Sequence, residues 1–278
     1  LLSSKQMAQF VASGFLKFDE MIPKELCEAC LVEMKENRGY LDVGTPFEKT
    51  WPKGTALGDT FRLPQVAGLI QSLVGSDPLY DHHAAHFTGA GQMKGPNTHQ
   101  DSVIAFREYY FDIQLSLFPA DTPDEMGGTC LVPGTQFRNV RTGEIQIYQH
   151  MRGRIWASCT AGTMYVWNTR VWHGARTNHT DRDRYMYKLR LNPSGPQIRN
   201  FDTSDLDDSE IATILSTNHG WEGNAHRYEV MRRVRLWRFV SAQPNFDIGE
   251  RFLRRICLLY TSDAADERSS VDLGGRRI

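Results

Sequence analysis

Apolar positions along this chain keep two different periods. Up to Val74 they recur at helical spacing, from about Leu79 to Asn192 they alternate, and after Pro193 the helical spacing returns. Ser3 or Ser4 can cap a helix through Phe10, Gly14 stops it, and Phe15–Phe18 reads as a strand. Pro23 then stands where a helix begins, Lys24 to Asn37 keeps helical apolar spacing, and Ile22, Leu26, Cys30, Leu31 and Met34 fall on one face. Leu41 to Arg62 is rich in Gly, Pro and Thr and reads as loop; Pro64 to Val74 reads as a short helix.

The alternating region predicts eight strands: Tyr80–Phe87, Thr98–Ala105, Tyr110–Phe118, Gly128–Val132, Arg154–Ala157, Gly162–Trp167, Val171–Gly174 and Arg184–Asn192. Short strands broken by turn signals predict a mainly β sandwich or barrel. Glu210–Leu215 and Arg227–Val240 read as helices, the second with a basic face. No repeat or linker interrupts residues 1–256, so the pattern predicts one domain, a β core clasped by helices at both ends.

Composition narrows the class. Of 278 residues, 40% are hydrophobic and 23% charged, ordinary for a globular protein, and a net charge of −1 offers no basic field for nucleic acid or an anionic membrane. No apolar run approaches the ~20 residues that span a bilayer. Five cysteines without framework spacing favour a reducing, cytoplasmic setting. Cys27 and Cys30 have zinc or redox spacing, yet no second pair completes a site, so they read as buried core thiols. The chain begins Leu1-Leu2-Ser3 without an initiator Met, as a fragment would. Residues 257–278 resemble a translated sequencing-library adapter and are set apart from the fold.

Candidate chemistry centres on His99-Gln100-Asp101 and on His173. On an extended segment alternate side chains share a face, so His99 and Asp101 can reach one metal ion, and His173 from a distant strand completes two imidazoles and a carboxylate. That set leaves coordination positions open and suits non-heme Fe(II) and O2. Arg184 follows His173 by eleven residues and shares a strand face with Met186, Lys188 and Arg190; a guanidinium there can grip a carboxylate bidentately. In Tyr110–Phe118, Ile113, Leu115 and Leu117 share one face and Gln114 and Ser116 the other. Either Gln114 and Ser116 face solvent, or they line a cavity inside a barrel.

These residues, with Ala8-Gln9-Phe10, Phe15-Leu16, Gly127-Gly128-Thr129 through Pro133-Gly134-Thr135, and His173-Gly174, resemble the phytanoyl-CoA dioxygenase family of Fe(II)/2-oxoglutarate oxygenases. The resemblance runs from about Gln6 to Asn192 and on toward Phe252. It implies a double-stranded β-helix with flanking N- and C-terminal helices. It assigns His99, Asp101 and His173 to iron, and Arg184 to the distal carboxylate of 2-oxoglutarate. The implied reaction hydroxylates a small molecule and releases succinate and CO2. Halogenating relatives have a small residue in place of the carboxylate, so Asp101 favours hydroxylation.

One position departs from the family pattern. A hydroxyl residue is common two places after the distal histidine, where this chain has Ala175; either Thr163 or Arg182 supplies a donor instead or cosubstrate binding is looser, and Gln114, if it lines the cavity, is a further cosubstrate-binding candidate. Among the other histidines, His86 is the best candidate to line the pocket. Arg138, Arg141, Arg152 and Arg154 form a candidate anion surface, although solvated arginines are commoner. The competing class is a cupin-like metal-binding barrel without 2-oxoglutarate chemistry.

Overall fold

The computed structural model describes residues 1–93, 97–101, 109–138, 140–147, 151–250 and 253. Helix α1 (Ser4–Ser13) starts where the Ser3 hydroxyl accepts from the Gln6 N–H and the Gln6 side chain accepts from the Ser3 N–H. Gly14, at φ 84°, ends it, and β1 (Phe15–Phe18) and α2 (Lys24–Glu36) follow. In α2, Cys27 and Cys30 are buried, and burial pushes the Cys30 thiol up to about 12.

The segment read as loop instead contains β2 (Leu41–Val43), α3 (Phe47–Thr50) and α4 (Ala56–Phe61). Such short elements show no periodicity, and partners distant in sequence hold them. Glu33 of α2 accepts from the Ala56 and Leu57 N–H groups at 3.2 and 2.8 Å, placing a carboxylate at the start of α4. Helix α5 (Pro64–Val74) then leads into β3 (Leu79–Thr88), which pairs with β2.

The later elements are β4 (Ile113–Phe118), β5 (Cys130–Val132), α6 (Thr142–Ile145), β6 (Ile155–Trp156), β7 (Thr163–Asn168), β8 (Trp172–Gly174), β9 (Arg184–Asn192), α7 (Glu210–Leu215) and α8 (Gly223–Ser241). One antiparallel sheet runs β1-β7-β4-β9-β3-β2, and a second, antiparallel too, runs β6-β5-β8. Of the strand expected at Thr98–Ala105, the described part contributes only a bridge from His99 to His173; residues 102–108 lie outside the described residues, as do 257–278. The fold is thus mainly antiparallel sheet with flanking helices. No helix among the described residues is long and apolar enough to cross a membrane.

The central strands β4 and β7 of the large sheet are buried on both faces. Ile113, Leu115, Leu117, Met164, Val166 and Leu189 pack toward the helices in the main core, with Phe10, Leu73 and Trp237. Each such side chain contributes roughly 1.5–3 kcal/mol on burial. On that face Tyr187 ties the core together: its hydroxyl accepts from Trp51 Nε1 at 2.6 Å and meets His83 Nδ1 at 2.7 Å. Phe118, Tyr165 and Trp167 on the opposite face pack with Leu131 of the small sheet. Gln114 and Ser116 share that inner face and are buried, their amide and hydroxyl 3.5 Å apart. Of the two orientations open to β4, the structure shows the inward one.

The basic face expected of α8 is partly internal. Arg233 is fully buried and pairs with Glu229 one turn earlier, while Arg238 Nε donates to the Phe246 carbonyl at 2.8 Å. The candidate anion surface is partly engaged: Arg138 stacks on Trp221, Arg152 pairs with Glu222 and Arg154 stacks on Trp156, while Arg141 is exposed.

Candidate metal centre and its cavity

His99 and His173 sit opposite each other on adjoining segments and exchange both backbone hydrogen bonds, each N···O distance 2.9 Å. Gly174 permits the close approach, because a Cβ there would stand 2.6 Å from the Asn97 carbonyl oxygen. Asp101 is tethered by its own N–H to the Thr169 carbonyl at 3.0 Å. Between them, the Gln100 side chain turns the other way and donates to the Arg138 and Arg170 carbonyls, both at 2.7 Å.

Two equivalent contacts orient the imidazoles. Nδ1 of His99 lies 2.8 Å from the Asn97 carbonyl oxygen, and Nδ1 of His173 lies 2.9 Å from that of Val171. Donation through Nδ1–H fixes the tautomer that leaves each Nε2 a lone pair. Those Nε2 atoms are both 3.4 Å from the Asp101 carboxylate, and the three candidate ligand atoms lie within 4.8 Å of one another. Burial alone would raise the Asp101 carboxyl. The neighbouring imidazoles of His173 and His99, when protonated on Nε2, and the Lys188 charge outweigh it and hold the group far below the ordinary carboxylate range.

Beside this cluster lies a cavity of about 300 Å³, lined among others by His86, Thr88, Gln114, Thr129, Trp167 and Arg184. The sheet register brings them together: Arg184 of β9 lies opposite Thr88 of β3, and Gln114 of β4 lies opposite Trp167 of β7. Arg184 is 7% exposed, donates from Nη2 to the Thr88 hydroxyl at 2.9 Å and keeps Nη1 buried without a hydrogen-bond partner. Burial pushes this guanidinium down to about 10, with Arg176 adding repulsion. A buried cation facing a cavity without a carboxylate partner is costly unless an anion joins it.

His86 and Gln114 do line the cavity, as does Ala175. Thr163 stands elsewhere: at the far end of β7, its hydroxyl donates to Asp19 at 3.2 Å. Arg182 is exposed. The hydroxyls that line the cavity are Thr88 and Thr129, neither of which the sequence singled out as a site residue. Strand parity does place Thr88 in phase with His86, but the register that sets it against Arg184 is a tertiary fact.

Relatives share this architecture. HygX from Streptomyces hygroscopicus, solved with nickel and 2-oxoglutarate bound, matches at 15% identity over 74% of this chain and 94% of that chain, with a TM-score of 0.55. The epimerase SnoN, in complex with Fe3+, alpha ketoglutarate and nogalamycin RO, matches at 15% identity over 69% of this chain and 84% of that chain, TM-score 0.52. EctD from S. alaskensis in its apoform matches at 13% identity over 69% and 77%, TM-score 0.54. At these identities the likeness is one of fold. No relative among the curated proteins matches the chain. The family model for phytanoyl-CoA dioxygenase (PhyH) matches residues 14–186, spanning the triad, the Gly127-Gly128-Thr129 segment and Arg184. The chain belongs to the phytanoyl-CoA dioxygenase family.

Proposed function

We propose that this chain is an Fe(II)- and 2-oxoglutarate-dependent dioxygenase that hydroxylates a small organic molecule. The observation that carries this reading is Arg184, a buried guanidinium with Nη1 unpaired in a cavity beside two imidazoles and a carboxylate. The donor set fits Fe(II), since two neutral nitrogens and one carboxylate oxygen leave positions for cosubstrate and O2. The cavity fits 2-oxoglutarate, whose distal carboxylate would satisfy Arg184. The bound cosubstrates of HygX and SnoN support the same assignment.

When bound, iron and 2-oxoglutarate supply the oxidising chemistry, with release of succinate and CO2. The residues of the chain do the rest. His99, Asp101 and His173 would hold the metal on one side of the cavity. Arg184, held by Thr88, would grip the far end of the cosubstrate, and Gln114 adds a polar atom to the wall. Trp167 packs beside His173, ring centroids 5.5 Å apart, and would help to exclude water from a bound metal. Asp101, in place of a small residue, favours hydroxylation over halogenation.

In this reading the two sheets are the layers of a double-stranded β-helix with the metal between them. Residues 1–256 form one oxygenase domain. The free cysteines 27, 30, 130 and 159 support a cytoplasmic setting. Its partners are small molecules, neither nucleic acid nor membrane. The test is succinate release from 2-oxoglutarate by the Fe(II)-loaded protein across a substrate panel. Stimulation by at least one compound is expected, and it should vanish in His173→Ala.

A further inference from the structure

Lys188 sits on the inner face of β9, one alternation beyond Met186 and two beyond Arg184, and lines the same cavity. Its Nζ lies 3.7 Å from Asp101 Oδ2, close enough for charge attraction and too far for a strong hydrogen bond. Among the described residues no other carboxylate lies within ion-pair distance of it. The neighbouring cation, Arg190, is engaged by Asp81 at 3.3 Å. The side chain is 14% exposed, so its ammonium has been taken largely out of water for a single long contact.

Charge accounting gives this lysine a purpose. It rests on the reading of the site as an iron and 2-oxoglutarate centre. A divalent metal and a doubly charged cosubstrate cancel. Asp101 then offsets one of the two cations, Arg184 and Lys188, and one positive charge remains. Among the described residues no acidic side chain lines the cavity to absorb it. We propose that Lys188 binds an anionic group of the substrate, and that the substrate is therefore a small carboxylic acid with an apolar body. An ammonium has three donors, so Lys188 can keep its attraction to Asp101 and still receive a carboxylate. The wall contributed by Trp167, Met186 and Phe87 suits the apolar part of such an acid. Its anchored carboxylate would lie beside the metal, so the carbon oxidised is near the acid group.

The experiment uses matched pairs: acetate through octanoate, benzoate and phenylacetate against the corresponding primary amides. Each is titrated anaerobically into protein loaded with Fe(II) and 2-oxoglutarate and read by calorimetry and by the visible charge-transfer band. At least one acid should bind about 10- to 100-fold tighter than its amide without bleaching the band. Lys188→Met should keep the band and lose that preference, and Lys188→Arg should restore part of it. Three results overturn the proposal: no acid preferred over its amide, a preference that survives in Lys188→Met, or loss of the band itself in Lys188→Met, which would assign the lysine to Asp101 or the cosubstrate. Absence of the band in the unaltered protein would instead overturn the iron and 2-oxoglutarate reading on which the inference stands.

Discussion

His99 and His173, 74 residues apart in the chain, pair as antiparallel neighbours through two backbone hydrogen bonds of 2.9 Å each. The two imidazoles of the candidate centre are therefore placed by main-chain geometry, and Asp101 by its own tether to Thr169. Asp101→Ala should lower Fe(II) affinity by more than about 100-fold, since even changes to groups behind the ligands cost 10–100-fold. Succinate formation in halide-free buffer should fall to background. Full turnover in that variant would remove Asp101 from the centre.

Gly174 tests the pairing from the opposite side. A methyl group there would meet the Asn97 carbonyl at 2.6 Å, so one of the two segments must move. Gly174→Ala should destabilise the protein by about 1–3 kcal/mol and weaken metal binding as well. Thermal melts with and without Fe(II) would show both effects, and an unchanged metal-induced shift would contradict the second.

Thr88 and Thr163 should part company. Thr88→Val leaves Arg184 without its hydroxyl partner, so KM for 2-oxoglutarate should rise about tenfold while kcat changes little. Thr163→Val breaks a contact to Asp19 and should leave that KM unchanged. Steady-state kinetics on both variants, varying 2-oxoglutarate, would reveal a reversed order if Thr163 held the cosubstrate.

Tyr187 is on the face of β9 turned away from the cavity. Tyr187→Phe leaves Trp51 Nε1 and His83 Nδ1 without their shared oxygen and should cost about 1–3 kcal/mol. The melting temperature should drop by several degrees while Fe(II) affinity stays the same; calorimetry showing weakened metal binding would mean the two faces of the sheet are coupled.

Much of this arrangement is legible in the residues themselves. The Ser3 cap and Gly14 stop mark α1, and alternation marks β4, β7 and β9, because local rules govern each. His99 and Asp101 share a face by spacing alone. What the chain does not display is anything set by a distant partner. β2 exists by pairing with β3, and α4 begins on a carboxylate from α2. The inward face of β4 and the meeting of Thr88 with Arg184 are fixed by sheet register. The arginines of α8 look like a solvated stripe until Glu229 and nearby carbonyls are seen to receive them.

The most direct test of the central claim is anaerobic addition of Fe(II) and then 2-oxoglutarate, followed by visible absorption. The account predicts a weak charge-transfer band that forms in the unaltered protein and is lost in both Arg184→Ala and His173→Ala. No band in the unaltered protein, or an equally intense band in both variants, would contradict it.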